Sequence, residues 1–259
     1  MIFKKHILMN FKYFVLCTFI CSFISCKEKL HLNKIEGTRL EINDQLPEDL
    51  KVKAFIEPFK NHVDKNLDSV LAFSVDTYSK NDGDLNTAIG NLMADAVLQE
   101  ANTVFKSRAN QNIDFVLLNH GGIRSILSKG NITSRTAYKI MPFENSVVVA
   151  ALPGIVVQEL VSYLIDAKRA HPISGLTIKL DKEYRLIQAT INGELIDNTK
   201  VYFVATNDYL FDGGDNMSFF KKYDTLYRLD YKVRNVLIDY FSKKDTIRPN
   251  IDNRFIRIN

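Results

Sequence analysis

Cysteine is confined to the first 26 residues of this 259-residue chain, at Cys17, Cys21 and Cys26. The sequence beyond has no thiol for a disulfide, a redox centre or a metal, so its stability rests on core packing. Tryptophan is absent, and with 6 prolines and 11 glycines there is no low-complexity linker after residue 50. Basic clusters are lacking too. Of the net charge of +4, Lys4, Lys5 and Lys12 contribute three units ahead of Cys26. A nearly neutral remainder argues against nucleic acid as a partner, because that needs a concentrated basic patch. Histidine is scattered at His6, His31, His62, His120 and His171, without metal-ligand spacing, and no Ser-His-Asp or Cys-His arrangement is suggested. No catalytic residue and no metal ligand is therefore expected in this chain.

The one long apolar run lies at residues 13–24, behind the three lysines. It is short for a transmembrane helix and fits the core of a signal peptide. Phe23-Ile24-Ser25-Cys26 resembles a bacterial lipobox, with Phe23 in place of the usual aliphatic residue. The expectation is a lipoprotein-type signal at residues 1–26, acylation at Cys26, and a lipid anchor in the bacterial cell envelope, on the periplasmic side or the outer surface. A plain secretory signal or an uncleaved anchor are the alternatives. Residues 27–50 read as a tether and the start of a domain, and residues 51–259 as the domain itself.

Along that domain, helical and strand signals mix. A weak strand pattern occupies 35–42. Pro47 opens a helix reaching about residue 66, which Pro58 should kink or divide. Residues 70–78 alternate as a strand. Ile89, Leu92, Met93, Ala96 and Val97 form one helical stripe, with Gly90 odd near its start. Residues 113–118 read as a buried strand, 134–140 as a short helix capped by Thr133 and stopped before Pro142, and 147–152 as a second buried strand. Val157, Leu160, Val161, Leu164 and Ile165 mark another helix. Strands at 176–180, 186–191 and 195–196 follow, the last two joined by Asn192-Gly193, a tight-turn signal. A strand at 201–206 and a helix at 233–241 complete the series. The fold class is α+β, a mixed β-sheet with packed helices.

Three loops far apart in sequence share an unusual chemistry. Asn119-His120-Gly121-Gly122-Ile123-Arg124 follows the strand at 113–118, Met141-Pro142-Phe143-Glu144-Asn145 precedes the strand at 147–152, and residues 207–215 end the strand at 201–206. Alone, the first is a common glycine turn; together they suggest a ligand site on strand ends. Gly121 and Gly122 let the backbone approach a ligand. Phe143 and Tyr209 can stack a planar base, Asp215 can accept hydrogen bonds from a ribose diol, and Arg124 can hold a phosphate. The bland counterparts are a core Phe143, a turn-forming Asp215 and an Arg124 in a surface ion pair. On these residues the site is a nucleotide or nucleoside pocket.

From about residue 84 onward the chain resembles the C-terminal, substrate-binding domain of the 5'-nucleotidase and UDP-sugar hydrolase family. The resemblance runs through Ile89-Gly90-Asn91-Leu92, the 119–124 loop, Gly130-Asn131-Ile132-Thr133, Pro142-Phe143-Glu144-Asn145, and Ala205-Thr206-Asn207-Asp208 to Gly213-Gly214-Asp215, in the family's order. It implies that Phe143 and Tyr209 sandwich the base, that Asn119 touches it, that Arg124 meets ribose and phosphate, and that Asp215 accepts from the ribose hydroxyls. Two departures stand out. The turn at 79–86 carries Lys80 where relatives have an arginine, and His120 fills a position often held by glycine, as a ligand contact or a hydrogen-bonded structural histidine.

The family's chemistry sits in a separate metallophosphatase domain, whose Gly-Asn-His-Glu and Gly-His-Thr-His settings are not found here. The resemblance therefore implies a nucleotide- or nucleoside-binding half of a 5'-nucleotidase, serving nucleotide catabolism. It would have no cofactor of its own, and divalent metals would belong to a separate metallophosphoesterase chain. The alternatives are a non-catalytic nucleotide- or nucleoside-binding surface lipoprotein and a degenerate domain kept for protein contact.

Overall fold

The computed structural model describes residues 11, 13–16, 19 and 32–258. The expected acylation site, Cys26, lies outside them. Contacts divide the chain into two units, Met1–Leu50 and Lys51–Asn259. In the first, described residues 32–49 form no strand, so the strand expected at 35–42 is not found; apart from a turn closed by Leu46 N–H donating to the Asn43 carbonyl at 3.1 Å, the segment is irregular. Its apolar residues have no strand partner, which an isolated alternating pattern cannot supply by itself.

Helix α1 (Leu50–Leu67), all but its first residue in the second unit, is a single helix through Pro58 that buries no residue. Then come β1 (Val70–Ser74), α2 (Ala88–Ala109), β2 (Phe115–Leu117), β3 (Gly130–Thr133), α3 (Ser134–Ile140), β4 (Ser146–Pro153), α4 (Gly154–Ala167), β5 (Ile173–Ser174), β6 (Leu176–Leu180), β7 (Leu186–Ile191), β8 (Glu194–Leu195), β9 (Val201–Asn207), α5 (Asp208–Phe211), β10 (Thr225–Lys232), α6 (Val233–Ser242), β11 (Thr246–Ile247) and β12 (Phe255–Arg257). Helices and mixed sheets alternate, an α+β architecture.

A five-stranded sheet in the order β10-β4-β9-β2-β5 forms the centre, flanked by sheets β11-β1-β3 and β12-β6-β7-β8. Strand alternation divides the central side chains between two cores. Val116, Val147, Val149 and Ala205 pack with Ile89 and Met93 of α2 and Val236 and Leu237 of α6. Phe115, Leu117, Val148, Ala150 and Val204 pack with Val157 and Leu160 of α4 and Ile178 of β6. Burial on both faces explains the uninterrupted apolar runs of these strands.

Local signals account for several element ends. Thr133 donates its N–H to Thr136 Oγ1 at 3.1 Å at the start of α3. Thr87 caps α2, its hydroxyl accepting from Gly90 N–H at 3.2 Å. A Cβ on Gly90 would lie 2.9 Å from that hydroxyl oxygen, so close packing at the helix start explains the glycine.

Candidate functional site

Four loops meet at one edge of the central sheet. β2 and β9 are parallel, so the segments after Leu117 and Asn207 leave on the same side. β4 runs antiparallel to β9 with Val147 opposite Asn207, which puts residues 142–146 beside them. β5 runs antiparallel to β2 with Leu117 opposite Ile173, so the turn ending at Pro172 joins the same edge.

Asn119 is buried, and its Oδ1 accepts from Asn207 Nδ2 at 3.0 Å. Asn207 also caps α5, accepting from Leu210 N–H at 2.8 Å through its side-chain oxygen. One amide pair thus joins the 119–124 loop to the segment that carries Tyr209. The chain after Asn119 makes a tight turn in which Gly122 N–H donates to the Asn119 carbonyl at 3.0 Å. A Cβ on Gly122 would sit 3.0 Å from Asn119 Oδ1, so the glycine lets the backbone lie against that amide.

Both histidines of this edge have internal partners. His120 donates its backbone N–H to His171 Nδ1 at 3.3 Å, and its own Nδ1 lies 3.1 Å from the Ala170 carbonyl. Burial pushes His171 down to about 4, so the ring is neutral near pH 7 and can accept. Burial also lowers His120, and Lys80 adds to the shift by charge repulsion, which brings the 79–84 turn into electrostatic reach of the site.

Arg124 is exposed, and no ion pair holds its side chain among the described residues; its guanidinium carbon lies 5.7 Å from the centre of the Phe143 ring. Phe143 is 41% exposed and so is not a core residue. Its loop is gripped from α6. Arg234, buried, reaches the Pro142 and Phe143 carbonyls, each at 3.4 Å, pairs with the Glu144 carboxylate, and lies 4.0 Å over the Tyr138 ring. Bonds from Lys232 and Arg234 hold the Glu144 carboxyl at about 2. Ser146 N–H donates to Asp208 Oδ2 at 3.0 Å, tying this loop to the next.

Tyr209 is 45% exposed, and its hydroxyl donates to Asp215 Oδ1 at 2.9 Å. That bond is the main reason the phenol is raised above its ordinary range. Asp215 occupies the left-handed region at φ 50°, and Tyr163 of α4 donates to its carbonyl at 2.6 Å. A Cβ on Gly214 would meet Tyr209 Cε1 and Cζ at 2.5 Å, so the ring can lie here only against a glycine.

The structure therefore brings Arg124 against Phe143, Tyr209 against Asp215, and Asn119 against the cap of α5. No ring contact joins Phe143 and Tyr209 among the described residues. Sequence reasoning missed three supports: His171, Tyr163 and Arg234. Each acts across more than 50 residues of chain, and no spacing signal announces such a contact. Among the described residues no group of three or more His, Cys, Asp or Glu is placed to hold a metal ion.

Comparison with known proteins is consistent along the chain. Residues 66–222 match the family described as 5'-nucleotidase, C-terminal domain. A cell wall protein of Listeria monocytogenes is 32% identical over 162 residues, covering 57% of this chain and 20% of that protein. A trifunctional nucleotide phosphoesterase protein of Bacillus subtilis is 26% identical over 235 residues, covering 83% of this chain and 16% of that protein. The chain thus spans about a fifth or less of the length of these two relatives. Its fold matches the crystal structure of a 5'-nucleotidase precursor from Thermus thermophilus with a TM-score of 0.67 and 21% identity, covering 82% of this chain and 44% of that one. With a match over more than half its length, this chain belongs to the 5'-nucleotidase C-terminal domain family.

Proposed function

We propose that this chain binds the nucleotide for a 5'-nucleotidase reaction whose metal-dependent cleavage is carried by a separate metallophosphoesterase chain. One observation carries the reading: two exposed aromatic rings on adjacent loops, one beside the exposed Arg124 guanidinium and the other fastened to Asp215. Phe143 and Tyr209 would stack on the base, Asn119 would meet its edge beside Gly121 and Gly122, Asp215 would accept from the ribose hydroxyls, and Arg124 with Lys80 would face the phosphate. Binding energy from the base and ribose then positions the phosphate at the partner's reacting centre. Divalent metals held by that partner would polarise the phosphate, while this chain's residues would bind and orient the nucleotide. An acylated Cys26 would hold the chain on the bacterial envelope.

Calorimetry with adenosine, AMP and a UDP-sugar tests the binding. Adenosine and AMP are expected to bind, and Phe143→Ala is expected to weaken both at least tenfold, in line with stacking worth about 1–3 kcal/mol per base. AMP hydrolysis should need the metallophosphoesterase in the assay. Hydrolysis by this chain alone with a divalent metal, at enzyme-like rates, overturns the division of labour. Binding with no partner-dependent turnover leaves a non-catalytic nucleotide-binding lipoprotein instead.

A further inference from the structure

Helix α1 lies largely ahead of the family match, which begins at residue 66. It carries an apolar stripe that no described residue of its own unit covers. Phe55 is 72% exposed and Phe59 64%, and Ile56 and Val63 are exposed beside them. At about 100° per residue these four side chains share one face roughly 100° wide. The rest of the helix is sorted by charge around it. Lys51 and His62 stand at one edge of the stripe, and Lys53 and Lys60 at the other. Glu57 and Asp64 fall on the opposite side, and Asp68 follows directly on the helix end.

That opposite side is where α1 is fastened to the domain. Arg135 of α3 donates through Nε to Asp68 at 2.6 Å and pairs with Asp64 as well, and these bonds hold the Asp68 carboxyl below its ordinary range. The acidic face therefore points towards the domain and the aromatic face away from it. A basic-edged apolar stripe with acids behind is the pattern of a helix lying in a bilayer interface. No helix among the described residues is long and apolar enough to cross a membrane, so α1 is no spanning segment.

We propose that α1 docks on an anionic bilayer surface, with Phe55, Ile56, Phe59 and Val63 among the acyl chains and the edge lysines at the headgroups. Charge complementarity selects this occupant, and so does distance along the chain. Cys26 lies 24 residues before α1, so an acyl anchor there keeps the helix within about 80 Å of a membrane at full extension. For that proximity the inference rests on the anchoring reading. A lipobox cysteine carries more than one acyl chain and anchors stably by itself, so what a second contact adds is orientation. The helix would supply that contact and restrict how the nucleotide site faces away from the surface.

The lack of tryptophan makes the test direct. Phe55→Trp and Phe59→Trp each place a lone reporter on the stripe, and Leu195→Trp, exposed on β8, is the control. The full chain is mixed with vesicles of phosphatidylglycerol and phosphatidylethanolamine, with and without brominated acyl chains. The expected result is blue-shifted emission and quenching by brominated lipid at positions 55 and 59, with neither at 195. Vesicle-bound protein whose reporters at 55 and 59 stay solvent-exposed and unquenched overturns the proposal. So does a blue shift at these positions without lipid, which would mean that a second copy or another protein segment covers the stripe. A chain that does not float with vesicles overturns it too. Cys26→Ala separates the two readings: if its flotation matches that of the parent and position 59 is still quenched, the anchor fails while the helix contact stands.

Discussion

Tyr209 links the two halves of the proposed nucleoside contact, because its ring offers a stacking face while its hydroxyl occupies one oxygen of Asp215. The second carboxylate oxygen remains available to a ribose hydroxyl. Gly214 lets the ring approach, and Tyr163 fixes the backbone of Asp215, so the carboxylate is oriented before ligand arrives. Phenylalanine at 209 would keep the stacking face and release the carboxylate. Tyr209→Phe is therefore expected to hold adenosine affinity within about threefold, with stability lowered by about 0.5–1.5 kcal/mol for one lost hydrogen bond. Tyr209→Ala removes the face itself and should weaken adenosine by tenfold or more. Calorimetry and urea unfolding on the two variants separate these effects. Equal losses in both would place the hydroxyl, and not the ring, at the centre of binding.

At the scale of elements, the Phe143 loop depends on α6, which lies 90 residues further along. Arg234 is buried beneath the loop with its guanidinium spread over two carbonyls, the Glu144 carboxylate and the Tyr138 ring. Planar delocalised charge suits that role, and lysine does not replace it. Arg234→Met keeps the apolar stem but leaves the two carbonyls and Glu144 without that donor. It should weaken adenosine about tenfold through a loosened Phe143, while proteolysis at 142–145 becomes faster; unchanged affinity with lowered stability would restrict Arg234 to a structural role. Neither this support nor its partner helix is visible as a pair in the sequence. What was legible there came from strong local signals: the boundaries of α3 from Thr133 and Pro142, β4 from its β-branched run, and the β7–β8 hairpin from Asn192-Gly193. Edge strand β10 was not, because a register shift between Arg228 and Lys232, with Asp230 at φ 51°, breaks its alternation. β11 and β12 are two- and three-residue strands that exist only through distant pairing, with too few residues to show a period. The site followed the same division. Glycines, aromatics and charges on strand-end loops could be recognised one loop at a time, while the contacts that hold them together could not.

Across the whole molecule, the doubly covered central sheet fixes the directions in which these loops leave, and the turn before β5 closes the edge with a buried imidazole. His171 links that turn to the 119–124 loop only while it is neutral, since its Nδ1 accepts from His120 N–H. Its position makes stability depend on pH in a defined window. The unfolded chain takes up the proton near the ordinary value of 6.5, but burial delays protonation of the folded state to about 4. Between those values the unfolded state binds more protons, so stability is fully present above pH 6.5 and declines as pH falls towards 4. The loss is about 3 kcal/mol at most, from the energy of a shift of this size. His120, lowered by burial in the same sense, adds to it. Carboxylates held low, such as Glu144 at about 2, lose their contribution only at more acid pH. Urea unfolding between pH 7.5 and 4.5 should show this decline, and His171→Gln, which keeps an acceptor for the His120 N–H, should flatten most of it. If the slope survives unchanged in His171→Gln, the acid sensitivity lies elsewhere and the imidazole is not the group that holds the 119–124 loop to the β5 turn.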